Sequence, residues 1–205
     1  PPLSHSLSLS ERSVPRLAPP QVNAWEPGQA DYLQFLVDSR HVYATLEELV
    51  TKYDALAQYR NSGLERAGPL EKDIAWFKEQ GFAEPPVGAQ GTAYAALLRE
   101  LASAGNVPYH WQVFTCHFYN FYFAHTAGGR MIGKMMSDKL LDGHKLEFYQ
   151  WSAGDVDKEL LPGLRNKIDE QAATWTPEQK AACLKETANT FRYGGSLLQH
   201  ISRRG

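Results

Sequence analysis

One stretch of this chain, HFYNFYFAHTAGGRMIGKMM from His117 to Met136, crowds two histidines, a glycine pair and a run of aromatics together. Read as a helix, it carries Gly128 beside Gly129, with Gly133 a turn later. Each interior glycine costs a helix ~1 kcal/mol relative to alanine. Bare helical backbone has two uses: close approach of a second helix, or close approach of a flat ligand that no Cβ would tolerate. Phe118, Tyr119, Phe121, Tyr122 and Phe123 supply flat apolar walls for such a ligand, and Met131, Met135 and Met136 adaptable ones. His117 and His125, eight residues apart, fall on adjacent sides of the helix. Both uses of the glycines stay open on these residues alone.

Other chemistries find little support. The sequence holds no HExxH and no cysteine set with zinc spacing. The Glu-x-x-His pairs of a di-iron bundle are missing too. One His-x-x-Glu, His144 to Glu147, stands alone in a short connector and reads as surface. Cys116 and Cys183 lie in apolar helical patterns and read as reduced core thiols.

The elements that would position the stretch are helical throughout. Tyr32, Phe35, Leu36, Tyr43, Leu46, Leu49 and Val50 make a stripe at three- and four-residue spacing. Pro69 suits a helix start, with Leu70, Ile74 and Phe77 on one face and Gly81 as a stop. Tyr94, Leu97, Leu98 and Leu101 mark a helix ending near Gly105. The long aromatic helix spans about 108–141 and is expected to break or bend at the glycine pair. Another runs over about 155–174, with a kink at Pro162-Gly163. Thr176-Pro177-Glu178-Gln179 fits a capping box that opens a last helix. No segment alternates as a strand does, so the fold class is all-α with one domain over 29–205. Residues 1–28, rich in proline and serine, read as an extended arm with Trp25 as an anchor onto the body. A chain that begins with proline is consistent with a processed or trimmed N-terminus, from which a targeting signal has been removed.

Composition narrows the partners. A net charge of −2 gives no basic field for nucleic acid. No run approaches the ~18 apolar residues of a membrane span.

Beyond these patterns, HFYNFYFAHTAGGRMIGK resembles the distal helix of the plastid-type haem oxygenases of plants and algae. The resemblance continues in YLQFLVDSRHVYATLEELV (32–50), NSGLERAGPLEKDIAWFKEQGF (61–82), LEFYQW (146–151) and ETANTFRYGGSLL (186–198). It implies an all-α fold holding haem between a proximal and a distal helix. The activity implied is oxidative cleavage of haem, as substrate and cofactor at once, to biliverdin, iron and carbon monoxide. O2 and reduced ferredoxin would drive it, in the chloroplast stroma. On the distal side the resemblance assigns His125 and Tyr43 to ordering water and delivering protons. Gly128 and Gly129 would lay backbone over the haem face and select the edge attacked. Tyr119 and Arg165 would meet the propionates, and Phe191 would line the pocket. Arg130 and Lys134 would either guide an acidic electron donor or simply solvate their helix.

The departure is at the proximal side. The family carries an axial histidine on a helix ahead of a segment like Trp25-Glu26-Pro27, and here His5 is the one histidine upstream of Trp25. His5 is therefore the candidate axial iron ligand, although SLSLSERSVP follows it in place of helical, mixed-charge sequence. The other reading is a non-catalytic relative, a tetrapyrrole-binding or assembly subunit of a plastid complex whose proline-rich arm lies across a partner.

Overall fold

The computed structural model describes residues 26–103 and 108–202. His5, Trp25 and the arm up to residue 25 lie outside the described residues, as does Gly105. Among the described residues there is no strand, and no helix is long and apolar enough to cross a membrane.

Helix α1, Gln29–Lys52, is the axis of the bundle. The predicted stripe is buried, but so are Leu33, Val37 and Val42 beside it, so α1 is covered on more than one face. Helices α2, Ala67–Glu79, and α3, Ala89–Ser103, pack along it. Pro69 falls in the first turn of α2, and Gly81 ends that region with φ +88°. Helix α3 approaches so closely that a Cβ on Gly91 would stand 3.0 Å from the Asp38 backbone. Asp38 itself is fully buried, and a bare carboxylate there would be costly. It accepts from the N–H of Gly88 (2.7 Å) and Gly91 (3.3 Å), from the Gln34 amide Nε2 (3.0 Å), and from His200 Nε2 (3.0 Å). That last bond ties the C-terminal end of the chain to the central helix.

The stretch that reads as one long helix is three elements. Helix α4, His110–Ala124, runs into a π-helical turn, His125–Gly129, and continues as α5, Arg130–Leu140. A π turn inserts an extra residue into the helical ladder and bends it. The break expected at the glycines is thus made at that place. The helix expected over about 155–174 opens with a π-helical turn, Val156–Leu160, ahead of α6, Leu161–Ala173, so its irregular stretch precedes Pro162-Gly163, the expected place of the kink. Pro162 is the second residue of α6 and follows directly on that turn. Asp155 caps the π turn by accepting from the N–H of Asp157 and Lys158. Helix α7, Pro177–Leu197, opens on the predicted box, Gln179 N–H to Thr176 Oγ1 at 3.3 Å and Thr176 N–H to Gln179 Oε1 at 2.8 Å.

Gly133 answers for its own cost. A Cβ there would stand 2.6 Å from the Tyr149 ring, and the Tyr149 hydroxyl pairs with that of Tyr32 at 3.0 Å. Gly133→Ala is expected to destabilise by about 1–2 kcal/mol, overpacking outweighing the helix propensity gained. In thermal unfolding followed by circular dichroism this is a Tm lower by about 3–6 °C. An unchanged Tm would mean that the ring moves aside without cost.

Candidate functional site

A slot of about 310 Å³ opens between the α4–α5 bend and the second half of α7, with α1 at its back. Phe35, Ser39 and Tyr43 come from α1. Phe121, Ala124, His125, Gly128, Gly129 and Ile132 come from the bend and its flanks. The connector after α5 adds Phe148 and Tyr149, and α7 adds Thr190, Phe191, Gly194 and Gly195. The lining is almost wholly apolar, with flat rings and bare glycines. That is the shape a planar, mostly apolar molecule needs.

The adjacent glycines do different things. Around a Cβ built on Gly128 there is nothing within 4 Å, so its bare backbone faces open space in the slot. A Cβ on Gly129 would stand 2.7 Å from His125 Nδ1. Gly129 is therefore small because the imidazole of the same turn folds back onto it. No neighbouring helix occupies the notch at Gly128, which leaves the ligand-approach reading of that glycine standing.

His125 is buried, and its Nε2–H donates to the carbonyl of Phe148 at 2.9 Å. Its ring stacks on the Phe148 ring at 4.0 Å between centroids. Burial drives its pKa down to about 3, with the charges of Arg66 and Arg130 adding to the shift. The imidazole is neutral at any ordinary pH, with Nδ1 as its one lone pair. It is an acceptor for water, not a cationic proton donor. Tyr43 lies beside it, 6.0 Å ring to ring, with its hydroxyl pointing at the Phe121 carbonyl at 3.4 Å. Burial raises the Tyr43 pKa well above its usual value, so the phenol keeps its proton.

The carbonyl that fixes the His125 tautomer is itself held from α2. Asp73 accepts from the N–H of Glu147 (2.7 Å) and Phe148 (2.8 Å). Arg66 donates to the carbonyls of Phe148 (3.3 Å) and Gln150 (2.5 Å). Sequence reading did not single out Arg66, Asp73 or Phe148. Their signal was two resembling blocks, 61–82 and 146–151, without any indication that they meet.

Other expected site residues lie apart from the slot. Tyr119 stacks on Phe123 at 4.2 Å, and the exposed Arg165 guanidinium sits over the same ring at 5.2 Å. Tyr119 and Arg165 are thus brought together, but around Phe123 and not on the slot lining. Phe191 lines the slot mouth and is 58% exposed, an unusual position for a large apolar ring. The expected methionine wall is not there: Met131 and Met135 are exposed and Met136 is in the core, because the bend turns Ile132 inward instead. Of the aromatic run, only Phe121 lines the slot, while Phe118 and Tyr122 pack in the core. Arg130 is held by Asp157 through two bonds, 2.8 and 2.9 Å, and by the Thr126 carbonyl, and Lys134 pairs with Asp138 at 2.6 Å. His117 is buried between the Tyr94 hydroxyl (3.1 Å) and Glu186 (3.0 Å). His144, expected at the surface, stacks half-buried on Trp76 at 4.1 Å.

The seven α-helices among the described residues, with a slot at a bent helix, make the fold of the haem oxygenases. Over 83% of this chain it superposes on the haem oxygenase 1 of the cyanobacterium Synechocystis, a structure in complex with haem, with a TM-score of 0.69 and 76% of that chain covered. At 19% identity that likeness is one of fold. No family model matches the sequence. Its relatives, however, are specific: it is 51% identical over 184 residues to the chloroplastic haem oxygenase 1 of Oryza sativa, covering 89% of this chain and 61% of the relative. To the chloroplastic haem oxygenase 1 of Arabidopsis thaliana it is 44% identical, covering 95% of this chain and 64% of that one. A protein named probable inactive haem oxygenase 2 of Arabidopsis is 38% identical, over 86% of this chain and 58% of its own. The chain is a homologue of the plant chloroplast haem oxygenases, and it spans about three fifths of the length of these relatives.

Proposed function

We propose that this chain is a haem oxygenase, which seats haem in the slot and opens it with O2 and reduced ferredoxin into biliverdin, iron and carbon monoxide. The observation that carries the reading is the bare face of Gly128 in a slot walled by aromatic rings, a cradle that any Cβ would begin to fill. The 51% identity to a relative named as a haem oxygenase supports it. Bound there, haem supplies the oxygen-activating chemistry and is also the molecule consumed. The chain's own groups position and protect. Gly128 would let a porphyrin face approach main chain, and Phe121 and Phe191 would supply apolar walls beside it. His125 accepts a hydrogen bond from water through Nδ1, and Tyr43 stays protonated at the back of the slot, so together they orient water without carrying charge. Tyr119 and Arg165, which both lie against Phe123 outside the slot lining, would meet the propionates only where these extend beyond the slot. Ferredoxin is the electron donor and the chloroplast stroma the location, in keeping with the chloroplastic names of the relatives.

A second reading has its own support. Among the described residues His125 is the one histidine on the slot, and its Nε2–H is engaged by Phe148. An axial ligand would then come from outside the described residues, where this sequence offers His5, or be lacking, as in a non-catalytic tetrapyrrole-binding or assembly subunit. Relatives named as probable inactive, at 38% and 41% identity, favour keeping this reading. Titrating the protein with hemin and then adding reduced ferredoxin under air separates the two. A sharp Soret band followed by bilin absorbance is expected, with both lost in His5→Ala. Haem binding that survives His5→Ala, with no bilin formed by either protein, establishes the second reading instead.

A further inference from the structure

Helices α4 and α7 form the two facing walls of the slot, and they run side by side in the same direction. Cys116 lies beside Thr187, His117 beside Glu186, and Phe121 beside Gly194. One turn before the slot residue Asn120, and two turns before Thr190, each wall carries its single cysteine. Cys116 is buried and Cys183 half-buried, and both are free. The Cys116 sulfur stands 3.7 Å from the Thr187 hydroxyl, and Thr187 is one helical turn beyond Cys183 on the same face of α7. The amide of Asn120 donates to the same sulfur at 3.4 Å. Cys116 and Cys183 thus lie within about one helical turn of each other across the helix interface. None of these contacts enters the reading of the slot.

We propose that Cys116 and Cys183 are a redox-sensitive dithiol whose disulfide clamps α4 to α7 at the base of the slot. The geometry puts the Cys116 sulfur against the residue one turn beyond Cys183, next to the His117–Glu186 pair. The Cys183 thiol, and after it Thr187 and Asn120, stabilise the Cys116 thiolate and bring its pKa down to about 7. The same contact pushes that of Cys183 up. Near neutral pH the pair therefore shares one proton, and a thiolate, the nucleophile of exchange, is present. Cys183 is the sulfur open to solvent.

Glutathione disulfide serves as the oxidant. The Cys183 thiol passes its proton to the Cys116 thiolate and attacks the oxidant, the glutathione disulfide bond breaks, and one glutathione leaves as its thiolate. Cys116 then attacks the Cys183 sulfur of the mixed disulfide, and the second glutathione leaves as the protein disulfide forms. The protein gives up two electrons and the one proton the pair holds, water supplies the second proton, and one glutathione disulfide becomes two thiols. Because the sulfurs of a disulfide stand at about 2.05 Å, the bond draws the two walls together below the slot and stiffens its mouth.

The test uses the full chain equilibrated in glutathione buffers of increasing oxidised fraction, trapped with iodoacetamide and mapped by peptide mass. A reversible Cys116–Cys183 cross-link is expected. With it, Tm rises by about 10 °C, and amide exchange over 187–195 slows about tenfold. Cys183→Ser and Cys183→Ala, at a half-buried position, should keep the fold and show neither change. Glutathione adducts on Cys183 without a cross-link, a cross-link formed only in urea, or a cross-link that leaves Tm and amide exchange unaltered would each overturn the proposal. All these readouts are independent of haem, so failure of the clamp and failure of the haem reading are distinguished.

Discussion

Replacing Gly128 with leucine is expected to abolish hemin uptake while leaving the helical bundle intact. The two halves of that expectation have separate causes. Space is free around the Cβ position, with no heavy atom within 4 Å, so the first carbon of a side chain meets nothing. Leucine also recovers most of the ~1 kcal/mol that an interior glycine costs. Tm should therefore stay level or rise by a few degrees. The rest of the side chain, however, projects into the 310 Å³ slot where a planar ligand would rest. Loss of even ~2.7 kcal/mol of binding is a hundredfold in Kd, and steric exclusion should exceed that. Hemin titration by Soret absorbance, beside far-ultraviolet circular dichroism, reads both halves. Unchanged hemin affinity in a folded Gly128→Leu protein would remove the ground for placing haem here. Gly129→Ala makes a useful contrast. Its Cβ would fall 2.7 Å from His125 Nδ1, so the expected effect is on His125 and on stability, by about 1–3 kcal/mol of overpacking, more than on the space for a ligand.

The second large effect is on acid stability. In the folded chain His125 has its pKa lowered to about 3 by burial, against ~6.5 for an unfolded histidine. A depressed histidine is protonated in the unfolded state and not in the native one over that interval. The unfolded chain binds more protons there, so stability rises with pH. The contribution is complete above pH ~6.5 and drains away as pH falls toward 3, by up to ~4–5 kcal/mol. Asp73 works the other way. Burial raises its pKa to about 6 despite the stabilising N–H groups of Phe148 and Glu147. Its native form binds more protons between about 3.8 and 6, which favours folding at the acid end and loses that advantage as pH rises through 6. The two groups hold the same connector, so their opposed slopes should partly cancel in the native protein. His125→Leu removes one slope and leaves the other. Urea unfolding of both proteins at pH 7, 6, 5 and 4.5 is the measurement. His125→Leu should start about 1–2 kcal/mol less stable at pH 7, from the lost bond to Phe148, and then lose less than the parent on acidification. Parallel curves would show that His125 does not titrate on unfolding in this range.

Helix positions were legible because their causes are local. The stripe of α1, the Thr176–Gln179 box and the stop at Gly81 each depend on residues within a few positions of one another. The bend in the aromatic helix was legible for the same reason, since Gly128 and Gly129 weaken the ladder where they stand. What the bend does to neighbouring side chains was not. Whether Ile132 or the methionines face the slot depends on the extra residue of the π turn, which rotates everything after it. Likewise the halves of the site on 61–82 and 146–151 resembled a known family block by block. Nothing in either block says that Asp73 and Arg66 take hold of the Phe148 peptide.

By itself the sequence determined an all-α chain, its helix ends, the weak point at Gly128-Gly129 and the kinship with plastid haem oxygenases, all properties of short-range pattern or of residue identity. Only the tertiary structure decided that Gly128 faces a slot while Gly129 makes room for His125. It alone decided that His125 is a neutral acceptor, and that the two cysteines sit on facing walls of one interface. These depend on which groups exclude water from one another across helices far apart in the chain, and burial of that kind is a property of the packed molecule.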